Sequence, residues 1–206
     1  MPQVLNVEDF KQVVNVPEHG IVTNDFVNTS PRAADLDTIL IETDCINLRI
    51  EALAKEIAKD YKEDIYAIVV LKGALPFFTN LMHQLSFHGK NVFFDFYIVS
   101  SYDGTTSTKA ITTTYAPTMD LKDKNVLIVE DIVDTGLTLA YVLHNLNTCK
   151  PTNIRVCSLL DKPSRREISV PVNYTGFRIP DLFVVGYGLD YNQQYRELNF
   201  IAVRSE

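Results

Sequence analysis

The chain has 206 residues, 46% of them hydrophobic and 22% charged, which is enough for one globular domain with a real core. Its formal net charge of −7 opposes nonspecific nucleic-acid binding, which needs a basic surface to displace phosphate counterions. No apolar run approaches a membrane span and no basic-then-apolar leader opens the chain, so a soluble cytoplasmic protein without nucleic-acid or membrane partners is expected.

Residues 1–40 are mixed, with Pro17, Gly20, Asn24 and Asn28 breaking up short apolar groups. Ile46, Ile50, Leu53 and Ile57 then recur at helical spacing, which predicts a helix over about 43–60. Ile65 to Leu71 reads as a strand buried on both faces, followed by Lys72-Gly73 and a helix over about 75–87. Val92 to Ser100, aromatic and β-branched, predicts a second strand that runs into Ser101-Tyr102. The threonine-rich stretch 103–117 is too polar for a core and long for a plain connection, so it should be functional or mobile; a β-hairpin arm fits it.

The most informative run is 126–138. Val126 to Val129 predicts a third strand; Glu130 and Asp131 follow, then Ile132, Val133 and Asp134. Thr135-Gly136-Leu137-Thr138 then opens a helix to about 148. Ile154 to Leu160 predicts a fourth strand, ahead of Asp161-Lys162, and Leu182 to Val185 a fifth. Strands alternating with helices at this spacing imply an α/β protein, a mainly parallel twisted sheet flanked by helices. Ligands of such sheets bind at the carboxyl ends of strands, and helix N-termini hold anions through free N–H groups. Three carboxylates beside an anion cradle therefore suit a phosphorylated, hydroxyl-rich ligand with a divalent cation. A solvated acidic turn would explain the carboxylates but leaves Thr-Gly-x-Thr without a role. Cys45, Cys149 and Cys157 lack metal-site spacing and read as buried or half-buried reduced thiols, while Arg165 and Arg166 read as surface.

The 126–138 run resembles the phosphoribosyl-diphosphate signature of type I phosphoribosyltransferases. Leu71-Lys72-Gly73, Ser101-Tyr102, Leu160-Asp161-Lys162, the stretch from Ile179 to Asn192, and Tyr195-Arg196-Glu197 extend the likeness in order from about Leu71 onward. Lys162 and Phe183-Val184 with Asp190 make it similar to the 6-oxopurine branch, the hypoxanthine-guanine phosphoribosyltransferase family. That resemblance implies a small hood built from the terminal segments over a single domain, with 103–117 as a mobile active-site loop carrying Ser101 and Tyr102 at its base. It implies 5-phosphate binding by Asp134, Thr135, Gly136, Leu137 and Thr138, and ribose and Mg2+ binding by Glu130 and Asp131. Diphosphate falls to Lys72, Gly73 and Arg196, with a non-proline cis peptide at Leu71–Lys72. Purine falls to Lys162, Phe183 and Val184, with Asp190 beside them for a second Mg2+, and Asp134 is the catalytic proton acceptor. Leu137 departs from the lysine common in animal members, and the threonine-rich arm differs from theirs. Substrates would be phosphoribosyl diphosphate and hypoxanthine or guanine, and the assembly a homodimer or homotetramer. A phosphoribosyl-diphosphate-sensing regulator on the same fold is the competing class; it would want a basic face and would have no need of Lys72, the long loop, Lys162 and Asp190 together.

Overall fold

The computed structural model describes residues 1–22, 36–102 and 110–204. In chain order the strands are β1 (Gln3–Val4), β2 (Val14–Asn15), β3 (Ile21–Val22), β4 (Thr38–Ile41), β5 (Ile65–Leu71) and β6 (Val92–Tyr102). Then come β7 (Ala110–Tyr115), β8 (Asn125–Val133), β9 (Asn153–Asp161), β10 (Tyr174–Arg178), β11 (Val184–Val185) and β12 (Ile201–Val203). The helices are α1 (Thr43–Asp60), α2 (Leu75–Phe87) and α3 (Leu137–Asn147).

The three apolar runs become the centre of the larger sheet because both of their faces are covered. Ala67 and Val69 of β5, Leu127 and Val129 of β8, and Cys157 and Leu159 of β9 share one core with the inward faces of α1 and α2. The alternate residues Ile68, Val70, Val126, Ile128 and Val156 pack with Leu139, Val142 and Leu146 of α3 on the opposite face. A strand sandwiched between helices in this way has no polar side to present, hence the unbroken apolar sequence. Among the described residues the sheet runs β2-β10-β9-β8-β5-β6-β7, all parallel except β7.

The antiparallel strand β7 pairs with β6, Tyr102 lying opposite Ala110, so residues 110–115 of the threonine-rich stretch are hairpin-paired. Residues 103–109 of that stretch lie outside the described residues, as do 23–35 with Asn24 and Asn28. The arm is anchored at its root. Tyr97 Oη lies 3.1 Å from Thr113 Oγ1, which lies 3.0 Å from Tyr141 Oη on α3.

A second sheet, β1-β3-β4-β12-β11, draws its strands from both ends of the chain and forms the hood. Here the sequence expectation needs correcting. The strand predicted at Leu182 to Val185 is only Val184–Val185, and it pairs antiparallel with β12 in the hood rather than joining the large sheet. The next parallel strand of the large sheet is β10, beside β9. Its Tyr-Thr-Gly-Phe-Arg sequence hides it, since Gly176 and Arg178 weaken the strand pattern. The glycine has a packing reason: a Cβ there would stand 2.5 Å from Leu159 O. Strand β8 also continues past Val129, so Glu130 and Asp131 lie inside it rather than beyond it. Cys45 and Cys157 are buried as expected, but Cys149 is exposed.

One buried cation holds α1 to this frame. Arg49, 1% exposed, donates to Gly176 O (3.1 Å), Thr175 O (2.8 Å) and Phe10 O (3.0 Å), and pairs with Glu56 at 2.9 Å. Arg49→Ala would remove the side-chain donor from three buried carbonyls, and should lower the unfolding free energy by about 3–4 kcal/mol in urea titration. A loss under about 1 kcal/mol would mean that water or neighbouring groups satisfy those carbonyls.

Candidate active site

β5 and β8 lie side by side with Val69 opposite Val129, so Leu71-Lys72-Gly73 and Glu130-Asp131 emerge together at one edge of the sheet. From β5 the chain passes to α2 on one face, and from β8 to α3 on the other. This makes the junction a switch point where a crevice opens. The approach is tight. A Cβ on Gly73 would stand 1.6 Å from Asp131 Oδ2, and one on Gly188 (φ +97°) would stand 2.0 Å from Gly73 O. Glycine at both positions lets the β8 carboxylates, the loop after β5 and the loop after β11 stack directly. The Leu71–Lys72 peptide is cis, as the resemblance implies.

Around this stack the charged residues are already engaged with one another. Arg196 donates through Nη1 to Gly188 O at 2.6 Å and pairs through Nη2 with Asp190 Oδ1 at 2.6 Å. Lys72 Nζ reaches Gln193 Oε1 at 3.4 Å, and the Gln193 N–H donates to Asp190 Oδ2 at 2.8 Å. Sequence reading missed Gln193. Nothing local separates it from Gln194, and it matters only because its left-handed backbone (φ +64°) folds it back between Lys72 and Asp190.

Two buried atoms at this edge lack a hydrogen-bond partner among the described residues: the acceptor Glu130 Oε2 and the donor Arg196 Nε. Burial, reinforced by the Asp131 carboxylate, holds Glu130 well above the usual carboxylate range; burial also raises Asp131. An idle buried acceptor beside a second carboxylate, with an idle guanidinium N–H near by, fits a divalent cation and an anion arriving together. No cluster of three or more His, Cys, Asp or Glu that could hold a metal occurs among the described residues. Asp190, moreover, is tied to Arg196 rather than grouped with Glu130 and Asp131. A cation here would take most of its oxygens from the ligand, as Mg2+ commonly does with phosphates.

The β8–β9 register builds the other half. Val133 lies opposite Asp161, and the Lys162 N–H donates to Val133 O at 3.0 Å, which sets Lys162 beside Asp134. Sequence alone allowed a solvated turn lysine; the side chain is instead buried, 7% exposed, with Nζ donating to Leu182 O at 2.6 Å. Burial lowers its pKa, although Asp134 and Asp181 draw it upward. Phe183, which would ordinarily be strand core, is 43% exposed and stands at 90° to Tyr191 with centroids 5.9 Å apart. The next residue, Val184, is buried in the hood.

Between these halves sits the loop before α3. Gly136 is left-handed (φ +87°), and Thr135 Oγ1 accepts the Leu137 N–H at 3.3 Å. The Thr135 carbonyl accepts the N–H groups of Glu167 (2.9 Å) and Ile168 (3.0 Å), and a Cβ on Gly136 would meet Ile168 O at 2.5 Å. The loop is thus backed by 166–170, while the first N–H groups of α3, Thr138 included, have no helical acceptors. Arg165 and Arg166 are not idle surface. Arg165 Nε donates to Asp134 Oδ1 at 3.2 Å, and Arg166 pairs with Asp161. The side chains of Ser101 and Tyr102 fall outside the described residues.

Fold and site together define a transferase that handles a phosphorylated sugar at the switch point of an α/β sheet. In agreement, a family model for the phosphoribosyl transferase domain matches residues 42–192. The hypoxanthine-guanine phosphoribosyltransferase of Mycobacterium avium is 41% identical over 176 residues, covering 82% of this chain and 85% of that protein. The hypoxanthine-guanine-xanthine phosphoribosyltransferase of Tritrichomonas foetus is 37% identical over 179 residues, covering 86% and 96%. A crystal structure of a hypoxanthine phosphoribosyltransferase from Staphylococcus aureus superposes with a TM-score of 0.80 at 33% identity, covering 87% of this chain and 97% of that one. The chain belongs to the hypoxanthine-guanine phosphoribosyltransferase family.

The raised Glu130 carries a stability prediction. The folded protein binds this proton more tightly than the unfolded chain does. The proton's contribution to stability is therefore complete below the ordinary value of 4.5 and is lost as pH rises through the elevated folded one. In cation-free protein, Glu130→Gln should be close to neutral at about pH 4 and stabilising by about 1–3 kcal/mol at about pH 8. Denaturant titrations at the two pH values check this; equal effects at both would mean that Glu130 titrates normally.

Proposed function

We propose that the protein moves the 5-phosphoribosyl group from phosphoribosyl diphosphate to a 6-oxopurine, giving a nucleoside monophosphate and diphosphate. The observation that carries this reading is the convergence at one sheet edge of the Glu130-Asp131 pair, the 134–138 loop and a buried Lys162. Hypoxanthine is the base common to the names of all three relatives above, which favours it as the first substrate to assay. The regulator alternative leaves Lys72, Lys162 and Asp190 without a task and finds no support in these relatives. Coupled detection of nucleotide from phosphoribosyl diphosphate and hypoxanthine tests the proposal directly.

In this reading the N–H groups of the 134–138 loop and the Thr135 and Thr138 hydroxyls take the 5-phosphate, while Glu130 and Asp131 face the ribose hydroxyls. Lys72, Gly73 and Arg196 take diphosphate, which requires Arg196 to divide its charge between Asp190 and the ligand. Mg2+ bound through Glu130 and Asp131, with Asp190 serving a second ion, would neutralise diphosphate charge. The leaving C–O bond breaks with its electron pair going to diphosphate, and a purine imidazole nitrogen forms the new bond to the anomeric carbon. Asp134 accepts the proton that this nitrogen loses. Positioning and charge stabilisation supply most of the acceleration. The arm at 103–117, with Ser101 and Tyr102 at its base, closes over the ligands. A cytoplasmic setting is proposed from the two buried free thiols, and no described helix is long and apolar enough to cross a membrane. A homodimer or homotetramer is proposed by analogy with the family alone.

Asp134→Asn should lower kcat by about 10²–10⁴ while the KM for phosphoribosyl diphosphate stays within a few-fold. A kcat within threefold of wild type would reduce Asp134 to a loop-former. The base is chosen by Lys162, whose ammonium can only donate. It suits the exocyclic oxygen of hypoxanthine or guanine and opposes the amino group of adenine, so discrimination of roughly 10³ is expected. Phe183 stacks on the ring and the Val184 backbone meets its pyrimidine edge. Lys162→Gln, able to present either a donor or an acceptor, should lose most of that discrimination in competing-substrate assays. Full retention would place selectivity elsewhere.

A further inference from the structure

We infer that Arg165 is a positioning residue for the proton-transfer step: it clamps one oxygen of Asp134 and is itself held in place by Asp181. The inference rests on the reading of Asp134 as proton acceptor. Arg165 Nε donates to Asp134 Oδ1 at 3.2 Å, and Nη1 lies 3.7 Å from Asp181 Oδ2. Its backbone is fixed as well, since the Arg165 N–H donates to Lys162 O at 3.1 Å in the turn that closes β9. A single guanidinium therefore spans from the phosphate loop to the segment just before Phe183, alongside Lys162.

Stability does not account for this arrangement. The three side chains are 47%, 38% and 54% exposed, and ion pairs this open to solvent stabilise a fold very little. Orientation does account for it. Asp134 Oδ2 has no hydrogen-bond partner among the described residues, so the clamp on Oδ1 leaves one free oxygen and restricts rotation of the carboxylate. In the reaction the imidazole N–H bond breaks, the proton moves to Oδ2, and the nitrogen electron pair forms the bond to the anomeric carbon. Asp134 then becomes neutral and its hold on Arg165 weakens. Asp181 keeps its charge and retains the guanidinium, so the cation does not drift into the space of the base. Two carboxylates on one arginine are what such a step needs, because one of them changes charge during it.

The test combines Arg165→Ala and Arg165→Lys, each in wild-type and Asp134→Asn backgrounds. Arg165→Ala should lower kcat about tenfold, leave the KM for phosphoribosyl diphosphate within twofold and regain part of its rate with tens of millimolar guanidinium chloride but not with equal sodium chloride. Arg165→Lys should fall between the two, because a point charge replaces a planar fork. In the Asp134→Asn background the same change should have almost no effect. An unaltered kcat in Arg165→Ala, an equal loss in both backgrounds, or a rescue by any salt would overturn the clamp. Asp134→Asn measured alone isolates the other failure: if it keeps wild-type kcat, the proton-acceptor reading falls, and the clamp falls with it.

Discussion

The candidate site depends on the parallel register of β5 against β8. With Val69 opposite Val129, Gly73 comes so close to Asp131 that a methyl group could not stand between them. A shift of two residues would separate the two by about 6–7 Å and dismantle the crevice. Apolar burial alone specifies this register weakly, since both faces of both strands are apolar and a slip would exchange one buried face for another. The strand ends supply the missing constraint. Glu130 and Asp131 cannot be drawn further into the core without a desolvation cost that nothing there offsets. The carboxylates that would bind the ligand are thus also the stops that align the sheet.

A second consequence concerns the cationic groups. Arg196 is paired with Asp190, Arg165 with Asp134, and Lys162 with the Leu182 carbonyl. Each has a partner within the protein before any ligand arrives. For the buried Lys162 and the half-buried Arg196 a bare cation would destabilise the fold, and internal pairing avoids this, whereas the more exposed Arg165 pair adds little stability. The exceptions are informative. Among the described residues Arg166 Nη1 stays idle beside the loop before α3, and Glu130 Oε2 and Arg196 Nε, one acceptor and one donor, stay idle where a cation and a diphosphate would meet.

How much of this the sequence announced follows from the range of the interactions. The helices at 43–60, 75–87 and 137–148 and the central strands were legible because burial on fixed faces leaves a local period or an unbroken apolar run. The run from Val126 to Thr138 was legible because its chemistry is contiguous. Strand β10 was not: its glycine answers to the Leu159 carbonyl on a neighbouring strand, a reason the local pattern cannot carry. Most of the hood was hidden likewise, being assembled from short strands at opposite ends of the chain, as β4 against β12 illustrates. Arg165 and Gln193 belong to the same class. Each looks like an ordinary polar loop residue, and its meaning comes only from what the fold sets opposite it.

Internal pairing also bears on how such a site can choose its base. Because Lys162 already donates to Leu182 O, a 6-oxopurine held by Lys162, as proposed above, would exchange a hydrogen bond rather than add one. The net gain from an exchanged bond is small, about 0.5–1.5 kcal/mol, whereas a buried donor left facing another donor costs more. A correct base is therefore rewarded modestly and an incorrect one is penalised heavily. On that proposal selectivity would arise mainly from rejection, and affinity would have to come from elsewhere, chiefly from stacking on the exposed Phe183 and from the phosphate contacts. This division suits a transferase that must release its nucleotide product. Tight hold on the base would oppose turnover, while a buried ammonium that loses its carbonyl partner only for the right base discriminates without that cost.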